Sequence, residues 1–402
     1  MDKEFISTRV KNIKPSPTMA VTAKAIELKK AGKDVIGLGA GEPDFDTPQH
    51  IKKAAIKAIN EGKTKYTVVD GIAELKEAIV EKFKRDNNLS FSSNQISVAT
   101  GGKQILFNAL QATLNEGDEV IIPAPYWVSY TDMTVLAGGK PIIIPTTYKN
   151  DFKLETKNIS NFITNKTKWI IINSPSNPTG VSYTEKEMEE IANVIEKFPN
   201  LMVLSDDIYE KITYDDFKFK TIAEVNPRIK DRVLTVNGVS KAYSMTGWRI
   251  GYAGGPTTLI KSMAKIQSQS TSNPTSISQY AALEALKSEE AFISENNNLF
   301  NERRNLIVEQ MNLIDGITCN VPNGAFYIFP SCFGLFGKVD QNGNKIQNSN
   351  DFCSFLLENA GVATVPGIAF GLDGHFRISY ATSTSLLIES GKRIKEACKK
   401  LR

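Results

Sequence analysis

Short apolar runs alternate with segments of helical spacing through the middle of this 402-residue chain. Such alternation is typical of βαβ units, whose strands are parallel and buried on both faces. The predicted strands of this kind cover residues 119–122, 142–144, 169–173, 201–205, 233–236 and 250–253. The pattern therefore predicts an α/β fold built on a largely parallel, buried sheet.

Polar side chains follow three consecutive predicted strands at the point where each strand ends. Asn177 comes after strand 169–173, Asp206 after strand 201–205, and Lys241 after strand 233–236. Ligands of open α/β sheets bind beyond the carboxyl ends of the strands. Three strands that each deliver one chemical group to the same edge predict a functional site there.

Lys241 lies in a Gly/Ser-rich loop between two apolar strands, and Arg249 follows eight residues later. Burial disfavours an ammonium ion and makes the neutral, nucleophilic amine accessible near neutral pH. Such an amine can form a Schiff base with an aldehyde, and an arginine can bind a phosphate with paired donors. The pair indicates pyridoxal 5'-phosphate (PLP), although a Ser-Lys dipeptide on a solvated loop is the ordinary alternative.

A second glycine-rich stretch, TGGKQ at residues 100–104, is predicted to begin a helix. The free amides of Gly102 and Lys103 and the helix dipole favour an anion at this point. An ordinary strand-to-helix turn fits the same residues equally well. The stretch lacks both the spacing and the Ser/Thr of a Walker motif.

The stretch GLGAGEPDFDTP at residues 37–48 fails as a dinucleotide fingerprint, because Glu42 takes the place of the third glycine and Pro43 follows it. A loop beside a ligand is the better interpretation, since Gly41 permits close backbone approach. Thr47 before Pro48 predicts a helix start, with Thr47 as its cap and Pro48 as its first residue.

Composition excludes several classes of protein. A net charge of +4 with dispersed charges does not indicate nucleic-acid binding. Four cysteines without metal spacing and two histidines predict no metal site, and the cysteines read as reduced core thiols. The beginning of the chain shows no apolar signal core, and no run is long enough for a membrane span, so a cytoplasmic location is expected.

The length predicts more than one core. After about residue 290 a long polar helix leads into short strands, and residues 337–350 read as a surface loop. We therefore expect a large domain at 46–290, a smaller C-terminal domain at 291–402, and an N-terminal segment at 1–45 that joins the small domain.

Eight motifs occur in a fixed order: GEPDFDTP, TKYT, TGGKQ, PAPYWVSY, NSPSNPTG, SDDIY, VSKAYSMTGWRIGYA and FRISYAT. Together they resemble the class I aminotransferases of PLP fold type I, in particular the bacterial aspartate aminotransferases that include dual aspartate/prephenate enzymes. The resemblance covers nearly the whole chain. It implies a large domain with a mostly parallel seven-stranded sheet, a smaller α+β domain, PLP as cofactor, and a homodimer with shared active sites.

The resemblance assigns catalytic roles to three residues. Lys241 is the Schiff-base lysine and the base that moves a proton between the substrate Cα and the cofactor C4′. Asp206, rather than Asp207, pairs with the pyridine nitrogen, because the motif places the acid three residues before Tyr209. Tyr209 hydrogen-bonds the ring oxygen together with Asn177. Each residue also has an ordinary structural alternative. Asp206 or Asp207 can be a capping or solvated acid at a strand end, Tyr209 a buried core tyrosine, and Asn177 the residue of an Asn-Pro turn.

Further residues are assigned to the cofactor. Trp127 lies on the ring face, where core packing is its ordinary alternative. Gly102, Lys103 through its backbone amide, and Arg249 hold the phosphate. Tyr66, in TKYT, reaches the cofactor phosphate of the neighbouring subunit, with an ordinary surface tyrosine as the alternative.

The substrate is expected to contact a second set of residues. Arg377 grips the α-carboxylate with a bidentate pair, aided by Asn177, Trp127 and the Gly41 backbone, although a strand arginine can also simply form a salt bridge.

A second carboxylate on the substrate needs a second cation. Lys103 and Lys14 are the candidates, and Ser16 and Thr18 are expected to add hydrogen bonds. Lys14 corresponds to a lysine that the resembling enzymes link to prephenate use, although lysines near a chain start are usually solvated.

The predicted activity is transamination between amino acids and 2-oxo acids by a ping-pong mechanism, with aspartate and 2-oxoglutarate as the substrate pair and prephenate as a further acceptor. An aminotransferase for aromatic or neutral amino acids, or a lyase, is the alternative within this fold. A non-catalytic regulator would need an added helix-turn-helix, for which too few residues precede the sheet. His50 and His375 have no role and are predicted to be surface or loop residues.

Overall fold

The chain's computed structural model describes residues 5–402. Strands and helices alternate through its middle part, as the apolar pattern predicts. In chain order the strands are β1 Ile36–Gly37, β2 Ile96–Ala99, β3 Glu119–Ala124, β4 Lys140–Pro145, β5 Thr167–Asn173, β6 Met202–Asp206, β7 Val233–Gly238, β8 Gly251–Gly254, β9 Tyr327–Ile328, β10 Val362–Ala363, β11 Val365–Pro366 and β12 Phe376–Ser379.

The described residues contain fourteen α-helices. They are α1 Thr8–Lys11, α2 Pro17–Lys30, α3 Gln49–Asn60, α4 Ala73–Asn87, α5 Gly102–Thr113, α6 Ser129–Leu136, α7 Thr156–Ile159, α8 Glu185–Glu196, α9 Ile222–Val225, α10 Thr257–Ser268, α11 Ser276–Lys287, α12 Ala291–Asn312, α13 Ser349–Ala360 and α14 Thr384–Cys398. Within residues 5–402, none of these helices has the length and apolar character that crossing a membrane requires.

The largest sheet has seven strands in the order β2-β8-β7-β6-β5-β3-β4. All neighbouring strands are parallel except β8, which runs antiparallel to β7 and to β2. Strand β5 shows why the sheet is buried: Ile170 and Ile172 pack into one core, whereas Trp169 and Ile171 pack into the core on the other face. The prediction of a mostly parallel, doubly covered sheet is confirmed.

The register of this sheet brings the predicted functional groups to one edge. Asn173 at the end of β5 pairs with Asp206 at the end of β6, and Asp206 pairs with Val236 in β7. The loops that follow β5 and β7 therefore leave the sheet beside Asp206. These loops carry Asn177 and Lys241.

A smaller α+β part lies in the last third of the chain. Its three-stranded antiparallel sheet has the order β11-β12-β9, and β1 pairs in parallel with β10. The third core contains Ile36 and Leu38 together with residues of α12, α13 and α14. These contacts agree with an N-terminal segment joined to the small domain, but the division at residues 45 and 290 stays a prediction, and residues 1–4 lie outside the described part.

The start of α3 differs from the sequence prediction. The helix begins at Gln49 with Pro48 as its N-cap, and Thr47 does not cap it. Instead the Thr47 hydroxyl donates to the Ser244 carbonyl at 2.6 Å and accepts a hydrogen bond from Trp248 Nε1 at 3.0 Å. A tertiary contact to the loop after β7 therefore replaces the local cap.

Candidate active site

A cavity of about 460 Å³ opens beyond the carboxyl ends of β5, β6 and β7. We call it the central cavity. Its wall combines the first turn of α5, the start of α2, residues 40–42, and side chains from β9 and β12 of the small part. Lys241, Asp206 and Asn177 all line it, so the three strand-end groups meet in one space as predicted from the sequence.

Lys241 extends from the loop after β7, and its ammonium Nζ donates to the Gly41 carbonyl at 2.5 Å. Burial, reinforced by the positive charge of Arg377, lowers the pKa of Lys241 to about 8. Glu42 and Asp206 oppose this shift, and Arg249 adds to it. The lowered pKa makes a neutral amine available close to neutral pH.

Asp206 ends β6 and is buried, with one carboxylate oxygen accepting a hydrogen bond from the Tyr130 hydroxyl at 2.6 Å. The Asn173 side chain donates to the Asp206 backbone carbonyl at 2.8 Å, which fixes the end of the strand. Burial raises the pKa of Asp206, and the Tyr130 hydroxyl, the Ile208 amide and the Lys241 charge oppose that rise.

Asp207 points elsewhere. It is buried, accepts a hydrogen bond from the Ser205 hydroxyl at 2.7 Å, and is not among the residues that line the central cavity. Burial raises the pKa of Asp207 to about 7, so this carboxyl is neutral in part near neutral pH. The geometry favours Asp206 over Asp207 as the acid that faces a ligand.

The first turn of α5 forms a cradle for an anion. Gly101 precedes the helix at φ +84°, a conformation that glycine adopts readily, and a Cβ atom there would collide with the Arg249 guanidinium. Gln104 is the first residue whose amide bonds back to the turn, at 3.1 Å from the Gly101 carbonyl. The amides of Gly102 and Lys103 therefore remain free to bind an anion.

Arg249 completes this cradle. Its guanidinium donates to the carbonyls of Thr246 at 2.8 Å and Thr100 at 3.4 Å, and it pairs with no carboxylate within residues 5–402. The Lys103 ammonium lies 5.0 Å from the centre of the Trp127 ring, over its face. Burial and the nearby Arg249 charge lower the pKa of Lys103.

Arg377 is a buried cation without a counter-ion among the described residues. Its side chain, 1% exposed, donates to Asn177 Oδ1 at 2.8 Å and to the Gly39 carbonyl at 2.7 Å. Its Nε has no hydrogen-bond partner, and the guanidinium packs over the rings of Tyr327 and Phe370. An unneutralised buried charge costs several kcal/mol, so this arrangement favours an anionic ligand. Within residues 5–402 no carboxylate pairs with Arg377, so a plain salt bridge does not account for its position.

Tyr209 and Tyr327 close one side of the central cavity. Their hydroxyls are 2.8 Å apart and hydrogen-bonded to each other. Four cations and two carboxylates line the cavity as a whole: Lys103, Lys241, Arg249, Arg377, Glu42 and Asp206. The excess of positive charge predicts ligands with several negative charges.

Comparisons with known proteins agree with this geometry. The model of the family described as aminotransferase class I and II matches residues 33–392. The chain belongs to this family. Relatives include an aspartate/prephenate aminotransferase of Cereibacter sphaeroides, 56% identical over 98% of both chains, and a probable aspartate/prephenate aminotransferase of Rickettsia felis, 57% identical over 98% of this chain and 96% of the relative.

Solved structures of the same family superpose along nearly the whole chain. The aspartate aminotransferase of Rhizobium meliloti has a TM-score of 0.96 at 51% identity and covers 99% of both chains. The aspartate aminotransferase of Thermus thermophilus, solved with maleate, has a TM-score of 0.91 at 42% identity and covers 98% of this chain and 99% of its own. The α/β prediction of fold type I is confirmed, and the chain is an aminotransferase.

Members of this family generally depend on PLP, and the residues of the central cavity fit that group. The free amides at the start of α5 suit a phosphate, as does Arg249, which has no carboxylate partner in the described part of the chain, and Lys241 suits an aldehyde. Asp206 is a buried acid suited to a ring nitrogen. Across residues 5–402, the structure contains no cluster of three His, Cys, Asp or Glu side chains suited to a metal ion.

Two predicted site residues lie outside the central cavity of this single chain. Lys14 is exposed and does not line the cavity, although Ser16 and Thr18, two and four residues later, do. Tyr66 is 90% exposed and also stands apart from it. Both assignments stay predictions.

Three further residues shape this aminotransferase site and were not predicted from the sequence. Tyr130 and Asn173 hold Asp206, and Tyr327 holds Tyr209. Tyr130 and Asn173 stand inside the motifs PAPYWVSY and NSPSNPTG, so their position next to assigned residues was the available signal. No sequence signal indicated Tyr327, because its contact with Tyr209 depends on how the small part packs on the large sheet.

His375 is also placed differently from its prediction. It is buried rather than on the surface, with its ring stacked on Phe329 at a centroid distance of 5.2 Å. The neighbouring aromatic rings of Phe152 and Phe333 surround it. Burial lowers the pKa of His375, so it packs as a neutral ring.

Proposed function

We propose that this chain transfers the amino group of L-aspartate to 2-oxoglutarate, giving oxaloacetate and L-glutamate, with PLP as cofactor. We propose further that prephenate is accepted and converted to arogenate. The observation that carries the proposal is the buried Arg377 with no carboxylate partner among the described residues, in a cavity that also holds Lys103. Two such cations suit a substrate with two carboxylates. The printed names of the relatives support the same substrates.

The cofactor is held by groups that already face the central cavity. Gly102, Lys103 through its amide, and Arg249 bind its phosphate; Asn177 and Tyr209 bind its ring oxygen; Trp127 covers its ring; and Asp206 pairs with its ring nitrogen. When bound, PLP supplies an electron sink for the bond that breaks at the substrate Cα. Ping-pong transfer follows, because amino acid and 2-oxo acid use the same residues in turn.

Lys241 has two tasks in this scheme. As a neutral amine it would hold the cofactor, and once free of it Lys241 would move the proton from the substrate Cα to the cofactor C4′. Its pKa of about 8 suits both tasks near neutral pH, since the amine is available and its conjugate acid still forms. The Gly41 carbonyl holds the Lys241 Nζ at the cavity wall.

Arg377 orients the substrate. Its guanidinium is fixed by Asn177 and the Gly39 carbonyl, and the planar group can bind the α-carboxylate through two parallel hydrogen bonds. The T. thermophilus relative was solved with maleate, a dicarboxylate, which supports a dicarboxylate substrate here. The second carboxylate is bound by Lys103, whose ammonium lies over Trp127.

The proposal is tested with a substrate panel. The purified protein is loaded with PLP, and the absorbance change on adding single amino acids is recorded. Aspartate and glutamate should react fully, whereas alanine and phenylalanine should react much more slowly. Borohydride reduction and peptide mapping should place the pyridoxyl group on Lys241. A faster reaction with aromatic or neutral amino acids would favour the alternative aminotransferase, and label on another lysine would contradict the assignment of Lys241.

Lys14 is proposed to bind the outer carboxylate of prephenate. Its segment leads into Ser16 and Thr18 at the cavity wall, and a flexible lysine there can reach substrates of different length. Lys14→Ala should lower kcat/KM for prephenate more than for oxaloacetate. Lys11→Ala, which removes a nearby exposed lysine on α1, serves as the control. Equal losses for both acceptors, or no prephenate activity in the wild type, would contradict this role.

The proposed enzyme is a homodimer with shared sites, and we propose a cytoplasmic location, in keeping with four buried cysteine thiols. Cell fractionation and sedimentation analysis test these two points separately from the chemistry. Recovery in a membrane fraction would contradict the location, and a monomer at working concentration would contradict the shared site.

A further inference from the structure

Tyr130 has no role in the scheme above, yet it makes the closest side-chain contact to Asp206. The residue lies in the first turn of α6 and is 2% exposed. Its hydroxyl donates to Asp206 Oδ2 at 2.6 Å, a distance typical of a hydrogen bond to a carboxylate. This bond occupies one oxygen of an acid that lines the central cavity.

The ring of Tyr130 contacts a second site residue. It forms an edge-to-face pair with Trp127, with ring centroids 5.3 Å apart and an interplanar angle of 87°. The Tyr130 carbonyl also accepts a hydrogen bond from the Thr134 hydroxyl at 2.8 Å, which anchors the helix turn. Tyr130 therefore fixes Asp206 relative to Trp127 from one rigid position.

A buried carboxylate needs such a donor. Asp206 is 6% exposed, and an anion in that position is destabilised unless hydrogen bonds or charges compensate. The charged or titratable groups around it are Tyr130, Lys241, Asp207 and Tyr209. Among these four groups Lys241 is the cation, and its charge changes during the proposed reaction because Lys241 loses and accepts a proton. Tyr130 is the neutral donor that stays in place throughout.

We propose that Tyr130 is a positioning residue that keeps Asp206 ionised and oriented toward the ring nitrogen of PLP. The inference rests on the proposed function, since it concerns the same site. With Asp206 ionised, the ring nitrogen keeps its proton, and that positive charge favours loss of the proton from the nearby Lys241 nitrogen. Tyr130 thus influences the protonation of Lys241 without touching it.

Tyr130→Phe tests this inference, because it keeps the ring and its contact with Trp127 and removes only the hydroxyl. The readout is the pH midpoint of the absorbance change of the lysine-bound cofactor. It should rise by about half a pH unit or more, since the ring nitrogen holds its proton less firmly. The turnover number kcat should fall by about tenfold, because the variant loses one hydrogen bond to a charged group. KM should change little.

Two comparisons separate this role from packing. Tyr183→Phe removes another buried hydroxyl, which accepts a hydrogen bond from the Leu154 amide at 3.0 Å and lies outside the central cavity; it should leave the midpoint unchanged. In an Asp206→Ala background, Tyr130→Phe should cause no further shift. Replacing Tyr130 by 3-fluorotyrosine, a stronger donor of the same shape, should move the midpoint in the opposite direction, and it remains informative if Tyr130→Phe fails to fold.

The outcomes are distinguishable. Wild-type protein that binds PLP through Lys241, with a midpoint that neither Tyr130 variant moves, would overturn the inference and leave the proposed function intact. A shift that persists in the Asp206→Ala background would also overturn it, because the effect would not pass through Asp206. Wild-type protein with no cofactor on Lys241 would overturn both proposals.

Discussion

Lys241 and Arg377 are two cations that the fold keeps in one cavity, and their closeness determines what each can do. Arg377 stays charged even when buried, because the guanidinium pKa is far above neutral. Lys241 loses its proton more easily instead, because burial and the Arg377 charge lower its pKa from 10.5 to about 8. At pH 7 about one tenth of Lys241 is then neutral, against about one in three thousand for an ordinary lysine.

The pH dependence of cofactor capture tests this difference. The pKa of Lys241 is lowered, so the reactive neutral amine increases with pH and is nearly complete above about pH 9. The rate at which PLP-free protein captures PLP, followed by stopped-flow absorbance, should rise to a midpoint near pH 8 and then level off. A rate that keeps rising toward pH 10.5 would contradict the burial argument.

Arg377→Met supplies the matched variant for this measurement. Removing the neighbouring positive charge should move the midpoint of capture upward, because Arg377 is one of the groups that lower the pKa of Lys241. Arg393→Met removes a surface arginine that pairs with Asp34 and Glu389, and it should leave the midpoint in place.

Residues whose role depends on chain order were predictable from local sequence patterns, and residues whose role depends on packing were not predictable from such patterns. Asp206 and Lys241 follow buried strands, and the sheet register alone brings them together. Tyr327 and Arg377 come from the small part, so their arrival at the cavity depends on a docking that no local pattern encodes. Arg377 was predicted through the resemblance of its motif to the family, whereas Tyr327 lies in none of the resembling motifs.

At the scale of elements, the sequence predicted which strands and helices exist better than where they end. The predicted strand 142–144 extends over Lys140–Pro145, and the predicted strand 250–253 lies at Gly251–Gly254. Apolar runs mark the buried centre of an element, but the ends depend on partners elsewhere. Thr47 illustrates this, because its hydroxyl serves the loop after β7 and not the helix beside it.

Helix α4 is joined to the segment after β6 by a buried ionic contact. The Lys82 side chain, 1% exposed, pairs with Glu210 and donates to Asn87 Oδ1 at 2.7 Å. Asn87 donates in turn to Glu210 at 2.8 Å. Glu210 directly follows Tyr209, so this contact holds the segment that carries two site residues, Asp206 and Tyr209.

Lys82→Met should therefore lower the free energy of unfolding by about 3–5 kcal/mol, because Glu210 is left buried without its cation. Adding Glu210→Gln to this variant should recover part of the loss, since the unpaired charge disappears. Lys57→Met, which breaks an exposed i,i+4 pair with Glu61 on α3, should cost less than about 1 kcal/mol. Urea unfolding of the PLP-free proteins measures all three. Equal losses for Lys82→Met and Lys57→Met would contradict the buried pairing.

At the scale of the whole molecule, the central cavity lies between two parts with separate cores. The large sheet supplies Lys241 and Asp206, and the small part supplies Arg377 and Tyr327. Helix α12 of the small part holds the N-terminal segment that forms one wall of the cavity, as Arg303 binds Asp44 through both carboxylate oxygens, at 2.8 and 3.0 Å. Asp44 lies three residues after Gly41, so the position of α12 bears directly on the cavity wall.

The role predicted for Tyr66 requires a second copy of the chain. Its ring is 90% exposed, but the segment that carries it is held firmly. The buried Gln267 side chain donates to the Val69 carbonyl at 2.6 Å, and the buried Gln279 side chain donates to the Thr67 hydroxyl at 3.0 Å. The exposed Val68 lies beside Tyr66. A rigid segment that presents apolar side chains outward favours contact with a second copy of the chain.

Subunit mixing tests whether Tyr66 serves the neighbouring site. Tyr66→Ala and Lys241→Ala proteins should each be nearly inactive as homodimers. In a heterodimer, one site combines the intact Lys241 of one subunit with the intact Tyr66 of the other, so about half of the wild-type activity per dimer should return. Ser276→Ala, which removes a surface hydroxyl bonded to the Lys63 carbonyl near the same segment, should not need such complementation. Purified heterodimers, verified by two different affinity tags, that remain inactive would show that Tyr66 acts within its own subunit or has no role at the site.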